Sequence, residues 1–400
     1  MQKVIINISL FVLLFGFIGS AGCNKHKRNK HIHTGADQVE QYIHSLKNKK
    51  VAVVANQTSL IGKSHLVDTL ISLGITVKKI FGPEHGFRGT KDAGEIFNNN
   101  IDLKTGMPVI SLHGKHKKPQ FEDLQDIDVI VFDIQDVGVR FYTYISTLQY
   151  VMEACAEQNI ELLILDRPNP NGFYVDGPVL DTSYRSFLGL NPIPLVHGMT
   201  IGEMALMING EGLLKNGIIC NLKIIPCKNY NHNSKYILPV KPSPNLPTMA
   251  SVYLYPSLGL FTGTHISMGR GTKHPFEIYG HPKLRNTDYS FIPVSIPGAS
   301  KYPKFENEEC YGFHLGNKAA LKILEEKQIN LEWLISSYND LNEQGIEFFN
   351  PYFPHHAGSE KLKEQIINGI SIDEIRKSWE DDISKFKAIR KKYLLYKDFE

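Results

Sequence analysis

Cysteine is scarce in this chain and charge is nearly balanced. Five cysteines occur in 400 residues, and none is spaced Cys-x-x-Cys, so a zinc ribbon is excluded. Lys and Arg number 44 against 41 Asp and Glu, a net charge of +3. No domain is basic enough for nucleic acid to be the main partner. The turn after the first predicted strand reads Asn56-Gln57-Thr58-Ser59 rather than Gly-x-Gly-x-x-Gly, which excludes the dinucleotide fingerprint. Gly62-Lys63-Ser64 looks like the end of a phosphate-binding loop, but Gln57 stands where that motif needs its first glycine. His113 and His116 are three apart and His355 and His356 are adjacent, yet no His-x-x-x-His with a positioned acid occurs. The expectation is chemistry with no cofactor and no metal.

One long apolar run is present, Val4 to Ile18, preceded by Lys3 and followed by Ser20-Ala21-Gly22-Cys23. About fifteen residues are short for a spanning helix and suit an export signal. Ser-Ala-Gly-Cys resembles a bacterial lipobox, with Ser20 where Leu is more usual. Lipidation at Cys23 would anchor the chain to a membrane without spanning it; a plain secretory signal is the alternative. Residues 24–36 are polar and basic and read as a flexible tether. Cys155 reads as core packing, and Cys220 with Cys227 is a conceivable disulfide.

From Asp37 the pattern is regular. Helices are expected at Asp37–Leu46, Ser64–Leu73 and Thr143–Gln158. Short apolar strands are expected at Lys50–Ala55, Ile75–Phe81, Pro108–Leu112, Asp128–Asp133, Glu161–Asp166 and Asn221–Pro226. Such alternation implies parallel βαβ units, hence a Rossmann-like α/β domain at 37–235. A smaller α+β C-terminal domain follows at 236–400. Within it, Ile372, Ile375, Trp379, Ile383, Phe386, Ile389 and Tyr393 recur at helical spacing behind a Ser371-Ile372-Asp373-Glu374 capping box.

The chemistry concentrates after the strands. Gly82-Pro83-Glu84-His85-Gly86-Phe87-Arg88-Gly89 sets a carboxylate, an imidazole and a guanidinium among glycines that permit unusual backbone geometry. Asp133-Ile134-Gln135-Asp136 continues to Arg140-Phe141-Tyr142-Thr143-Tyr144, Asp166-Arg167-Pro168-Asn169 follows the next strand, and His197-Gly198-Met199-Thr200 ends the apolar run Ile193–Val196. In a parallel sheet such loops share one edge. A cleft of Asp, Asn, Arg, Tyr and His suits a sugar, whose hydroxyls bond to the polar groups while ring faces stack on aromatics. Leu260–Ile278 is a second glycine-rich stretch, centred on Arg270.

These segments resemble the exo-β-N-acetylmuramidase family, exported peptidoglycan-recycling glycosidases. The resemblance continues in order through Asp176-Gly177-Pro178, His197 to Glu203, Pro242-Ser243-Pro244-Asn245-Leu246-Pro247, Gly269-Arg270-Gly271-Thr272 and Tyr393-Leu394-Leu395-Tyr396. It implies a Rossmann-like domain plus a smaller C-terminal one with the active site between them. It also implies release of N-acetylmuramic acid from non-reducing ends of peptidoglycan fragments during cell-wall turnover. The partners so implied are a glycan or muropeptide and a membrane reached through the lipid anchor.

Glycoside cleavage needs an acid at the leaving oxygen and a second group at the anomeric centre. Glu84 is the acid/base candidate, with His85 either tuning it or capping the turn. Asp136 is the leading second carboxylate, with Asp133 and Asp166 behind it; each is alternatively a structural cap. An acetamido sugar can instead supply its own carbonyl oxygen as nucleophile. The lactyl carboxylate of N-acetylmuramic acid calls for an arginine, and Arg88, Arg140 and Arg270 are the candidates; for Arg140 a structural ion pair with Asp136 or Asp166 is the alternative. Tyr142, Asp166, Asn169, His197 and His265 complete the expected substrate contacts. One departure stands out: the family reads Phe-Glu-Gly-Thr where this chain has Phe261-Thr262-Gly263-Thr264. It opens a rival reading, an envelope lipoprotein that binds muropeptides with little or no turnover.

Overall fold

The computed structural model describes residues 31–89 and 100–400. Cys23, the signal and most of the tether lie outside the described residues, as does the Thr90–Glu95 end of the first glycine-rich loop.

Seven strands form the main sheet. In chain order the strands begin β1 (Lys50–Ala55), a small hairpin of β2 (Leu60–Ile61) and β3 (Ser64–His65), then β4 (Thr76–Gly82), β5 (Asn100–Ile101) and β6 (Pro108–Ser111). β7 (Val129–Asp133), β8 (Glu161–Leu165) and β9 (Leu222–Ile225) follow. The sheet order is β5-β6-β4-β1-β7-β8-β9, parallel except for the β5–β6 pair at one edge. β1 and β7 are apolar at nearly every position because both sheet faces are covered there. Successive residues separate cleanly between the two sides. Ala52, Val54, Ile130, Phe132, Leu162 and Ile164 enter one core, and Val51, Val53, Val129, Val131, Leu163 and Leu165 enter the other. That is the period-two alternation of a strand read out as burial.

Helices α1 (Val39–Leu46) and α2 (Leu66–Ser72) supply Tyr42, Leu46, Leu66, Val67 and Leu70 to the smaller core. α3 (Phe121–Leu124), α4 (Tyr144–Gln158), α5 (Ile201–Gly210) and α6 (Met249–Leu258) follow. The larger core takes Leu148, Met204 and Leu254 from the last three and runs on through Phe261, Tyr279, Leu334, Phe353, Trp379 and Phe386. The C-terminal region is therefore packed onto one face of the parallel sheet. It carries a small antiparallel sheet, β10 (Ile278–His281), β12 (Cys310–His314) and β11 (Tyr289–Phe291) in that spatial order.

Four sequence expectations change. Residues 32–36 are not tether: His33 pairs with Lys228, the Gly35 amide donates to the Asp166 carbonyl at 2.7 Å, and Ala36 is fully buried. Cys220 and Cys227 are separate buried thiols rather than a disulfide. Ile193–Val196 makes only isolated bridges, from Val196 to Val139 and Asp176, so His197 follows no sheet strand. The C-terminal apolar stripe does not lie on one helix. Ser371 caps Ile372–Lys377 as expected, but the chain then turns at Trp379 and a second helix runs from Glu380 to Arg390. Ile375, Trp379 and Phe386 are still buried, because both pieces lean on the same core.

Candidate active site

The order β4-β1-β7 puts a topological switch at the centre of the sheet, where neighbouring strands are connected in opposite directions and ligands collect at the carboxyl ends. Three strand ends meet there. The loop after β4 brings Glu84 and His85, the turn after β1 brings Asn56, and the loop after β7 brings Phe141, Tyr142, Thr143 and Tyr144 at the entry to α4. The Thr143 hydroxyl donates to Glu84 Oε2 at 2.9 Å, and Asn56 Nδ2 donates to the Tyr144 hydroxyl at 2.9 Å. The Gly86 amide closes the turn onto the Pro83 carbonyl at 2.9 Å. His85 sits inside that turn at φ 70°, a left-handed conformation that a β-carbon disfavours. Its ring Nε2 lies 3.2 Å from the Ser243 hydroxyl, so the imidazole reaches the proline-rich segment.

That segment and the C-terminal region supply the opposite wall. Tyr142 donates its hydroxyl to the Pro242 carbonyl at 2.9 Å. A cavity of about 350 Å³ opens between Glu84, His85 and Phe141–Tyr144 on one side and Asn245, Tyr255, Thr262, Arg270 and Phe276 on the other. Its walls are largely aromatic. Tyr142 meets Tyr144 edge-on at 4.8 Å, and Tyr255 meets Phe276 at 4.9 Å and Phe141 at 5.2 Å. Tyr352, two-thirds exposed, stands at the mouth. Burial raises the Tyr142, Tyr144 and Tyr255 hydroxyls well above the ordinary phenol range, and the Glu84 charge adds to this at Tyr144 and Tyr255. All three stay neutral donors.

Arg270 is the cavity's guanidinium. It lies 5.3 Å over the Phe276 ring, and its Nε has no hydrogen-bond partner among the described residues. Burial lowers its pKa, while Tyr255 and Glu84 oppose that shift. It stays cationic, an arginine with donor capacity to spare beside a carboxylate. The loop bearing Thr262 is fixed from behind. Lys304 Nζ lies within hydrogen-bond distance of the carbonyls of Phe261, Thr262, Thr264 and Ile266 at 2.5–3.3 Å, and Asn350 Nδ2 donates to those of Thr262 and Thr264. Burial brings the Lys304 ammonium down to about 7. Gly263 is obligatory beside Thr262, since a β-carbon there would come 2.3 Å from the Phe353 Cα.

Of the residues read from the sequence as site residues, Glu84, His85, Tyr142 and Arg270 line this cavity and the others do not. Arg88 is held by Asp102 at 2.8 and 3.1 Å and by Asp68 at 3.5 Å, which neutralises it. Arg140 is buried and donates to the carbonyls of Pro178, Ile193 and His356 at 2.7–3.0 Å. It forms neither of the ion pairs considered for it; it joins three chain segments. Asp133 is in a fully buried pair with Arg167, at 2.5 and 2.9 Å. Asp166 accepts from Tyr396, Thr200, Gly202 and Arg167 at 2.5–3.0 Å and has no capacity left for a sugar. Asn169 is spent on the Met199 carbonyl and the Asn171 amide, packed where only a glycine at 138 leaves room. His197 is buried, its Nδ1 accepting from the Met199 amide, and burial lowers it to about 3. His265 is exposed, with its amide on the Phe348 carbonyl.

Asp136 is the intermediate case. It is buried and does not line the cavity; its Oδ2 accepts from the Gly138 amide at 2.6 Å and its Oδ1 has no partner among the described residues. Burial pushes its carboxyl up to about 7. Sequence reasoning gave no role to Thr143, Tyr144, Tyr255 or Phe276. The first two stand inside a quoted motif and Phe276 inside the second glycine-rich stretch, whereas Tyr255, within α6, gives no local signal.

Comparison with known proteins is consistent over nearly the whole chain. Residues 51–250 match the family described as exo-beta-N-acetylmuramidase NamZ, N-terminal, and residues 253–396 match its C-terminal counterpart. A protein of Bacillus subtilis named peptidoglycan beta-N-acetylmuramidase NamZ is 39% identical, across 99% of this chain and 100% of that one. Two crystal structures of DUF1343 family proteins from Bacteroides fragilis are also similar. One shares 47% identity with a TM-score of 0.84, the other 29% with 0.77; each alignment covers 92% of this chain and 99% of theirs.

Proposed function

The chain belongs to the exo-β-N-acetylmuramidase family, and from that premise we propose that Glu84 and Arg270 are the two groups that make its cavity a muramidase site. The protein is a glycoside hydrolase acting on peptidoglycan-derived substrate. The carrying observation is that one carboxylate with a hydroxyl donor, one guanidinium with an unused donor, and a ring of aromatics share a single cavity of sugar size.

In this reading the aromatic walls take the pyranose faces. Arg270 takes the lactyl carboxylate, the group that distinguishes N-acetylmuramic acid from N-acetylglucosamine. Glu84 gives its proton to the glycosidic oxygen as the C1–O bond breaks. The acetamido oxygen of the same sugar attacks C1 from the opposite face. Water then opens that adduct, returning its proton to Glu84 and restoring the acetamide. This route asks for one acid in the cavity, and Glu84 is the one carboxylate among the described lining residues. Asp136 is buried and does not line the cavity, so it is given no step at C1.

The test is release of chromophore from a chromogenic β-N-acetylmuramide by protein lacking residues 1–23. Glu84→Gln should lower kcat by a factor of about 10² to 10⁴ while leaving the fold intact. Proton NMR of the first-formed sugar should show the β-anomer; an initial α-anomer would overturn the acetamido route and leave the acid standing. Full activity in Glu84→Gln would overturn both.

We also propose that the chain is exported and lipid-anchored at Cys23, on the strength of the apolar run and the Ser20-Ala21-Gly22-Cys23 sequence. Mass spectrometry of the membrane-bound protein should find acyl chains on an N-terminal Cys23. An unmodified N-terminus would refute the anchor.

A further inference from the structure

A group of metal-ligand side chains lies outside the cavity, where the C-terminal strands fold back on the Arg270 turn. His274, Glu277 and His314 each offer one ligand atom, and the three atoms lie within 4.8 Å of one another. The two imidazole rings are 4.9 Å apart between centroids. None of the three lines the active-site cavity.

The backbone builds this arrangement. The Glu277 amide closes a turn onto the His274 carbonyl at 3.1 Å, which puts residues 274 and 277 on one side of the loop. Phe276 takes φ 56° to make that turn, with its amide on the Met268 carbonyl. The Leu315 amide donates to the Glu277 carbonyl at 2.8 Å, bringing His314 at the end of β12 against the same loop. Glu277 is buried, and its Oε1 accepts from the Thr248 hydroxyl at 2.6 Å, while a carboxylate oxygen lies within 4.8 Å of both imidazole ligand atoms. Thr248 is also the N-cap of α6, which fixes the carboxylate from behind as outer partners fix metal ligands.

We propose that His274, Glu277 and His314 form a structural divalent-cation site of the zinc class. Two imidazoles and a carboxylate are a borderline donor set that suits Zn²⁺, with water as the fourth ligand. Ligand bonds of about 2.0–2.2 Å put tetrahedral ligand atoms about 3.4 Å apart, so ligand atoms that lie within 4.8 Å of one another must close by up to about 1.4 Å. His314 is exposed and His274 half-buried, so both rings are free to make that movement around the fixed Glu277. The site's role is to tie three segments together: the Gly269–Glu277 turn, the end of β12 and the start of α6. Arg270 and Phe276 ride on that turn, so the metal would hold two cavity residues without touching substrate. The inference does not depend on the glycosidase reading.

The experiment uses protein lacking residues 1–23, freed of metal by chelator and dialysed against zinc chloride. One equivalent of zinc should be retained per chain, and Tm should rise by about 3 °C or more over the metal-free protein. Co²⁺ in place of zinc should give the visible absorption of a four-coordinate site. His314→Ala, at an exposed position, should keep the metal-free Tm and lose the retained zinc, the Tm shift and the cobalt band. His274→Ala should do the same. No retained zinc in the parent, or equal retention in both variants, would overturn the proposal; the latter outcome would place the metal on other histidines of the chain.

Discussion

Two regions of this molecule use the same residue types at the ends of the same sheet, and only one of them is open to a substrate. Around the ends of β7 and β8, Asp133, Asp166, Arg167, Glu203 and His232 meet Tyr396 from the chain's end. Asp133 is paired with Arg167, Asp166 is saturated by four donors, and Glu203 accepts from His232 at 3.0 Å and from the Leu395 amide at 2.9 Å. Every group there is buried and matched. Around the ends of β4 and β1, Glu84 and Arg270 face a cavity, and the Arg270 Nε is left unmatched. A buried polar group is held in place by its partners, and a partnerless donor at a cavity wall is available to a ligand. Residue type does not separate the two regions: the first set is closed by its own ion pairs and hydrogen bonds, whereas Arg270 keeps an unmatched Nε at the cavity wall.

The largest effect that would sharpen the contrast is on turnover. Glu84→Gln removes the proton donor and should cost about 10² to 10⁴ in kcat with Tm nearly unchanged. If Tm falls steeply instead, Glu84 belongs with the structural region. Next comes the reverse case. Asp166→Ala strands the Tyr396, Thr200, Gly202 and Arg167 donors and should cost about 3 kcal/mol by denaturant titration, with the kcat of the folded fraction within about twofold of the parent. Loss of turnover without loss of stability would break the comparison.

Arg270→Ala should raise KM for a β-N-acetylmuramide by about 10- to 100-fold, the equivalent of a lost charge-assisted bond. The matching N-acetylglucosaminide lacks the lactyl carboxylate, and its kinetics should be unchanged. Equal losses on both substrates would remove Arg270 from the specificity role.

The last effect is seen only as a function of pH and concerns the carboxyl lying between the two regions. Burial holds Asp136 at about 7, above the ordinary carboxyl range. Between roughly pH 4 and 7 the folded chain therefore keeps a proton that the unfolded chain has released. The resulting stability is complete below about pH 4 and is lost as pH rises through 7. Asp136→Asn is neutral throughout. Its stability relative to the parent should climb over that window, at no more than about 1.4 kcal/mol per pH unit. A difference that stays flat from pH 4 to 8 would mean that Asp136 titrates as an exposed carboxyl does.

Much of the fold was legible because strand burial leaves a local record. Val-Ala-Val-Val-Ala at 51–55 and Val-Ile-Val-Phe at 129–132 are apolar at every position, as only strands covered on both faces need to be. The stripe from Ile372 to Tyr393 spans two helices, because residues at helical spacing report which positions face the core, not whether the backbone bends between them. Glu84 was legible from its glycine-flanked loop, whereas the fates of Arg88 and Arg140 were not. Asp102 and the Pro178, Ile193 and His356 carbonyls that consume them are distant in sequence or carry no side-chain signal.

By itself the sequence determined the alternation of strands and helices, the parallel sheet and the loops that gather at its carboxyl edge. These follow from periodicity and backbone preference, which act over a few residues. Only the tertiary structure decided which polar side chains of those loops stay available. That depends on partners brought from far along the chain: Tyr396 onto Asp166, Arg270 opposite Glu84, His314 onto Glu277. Burial makes an unmatched polar group costly, so folding consumes most of them, and at the cavity wall the Arg270 Nε is left for a ligand.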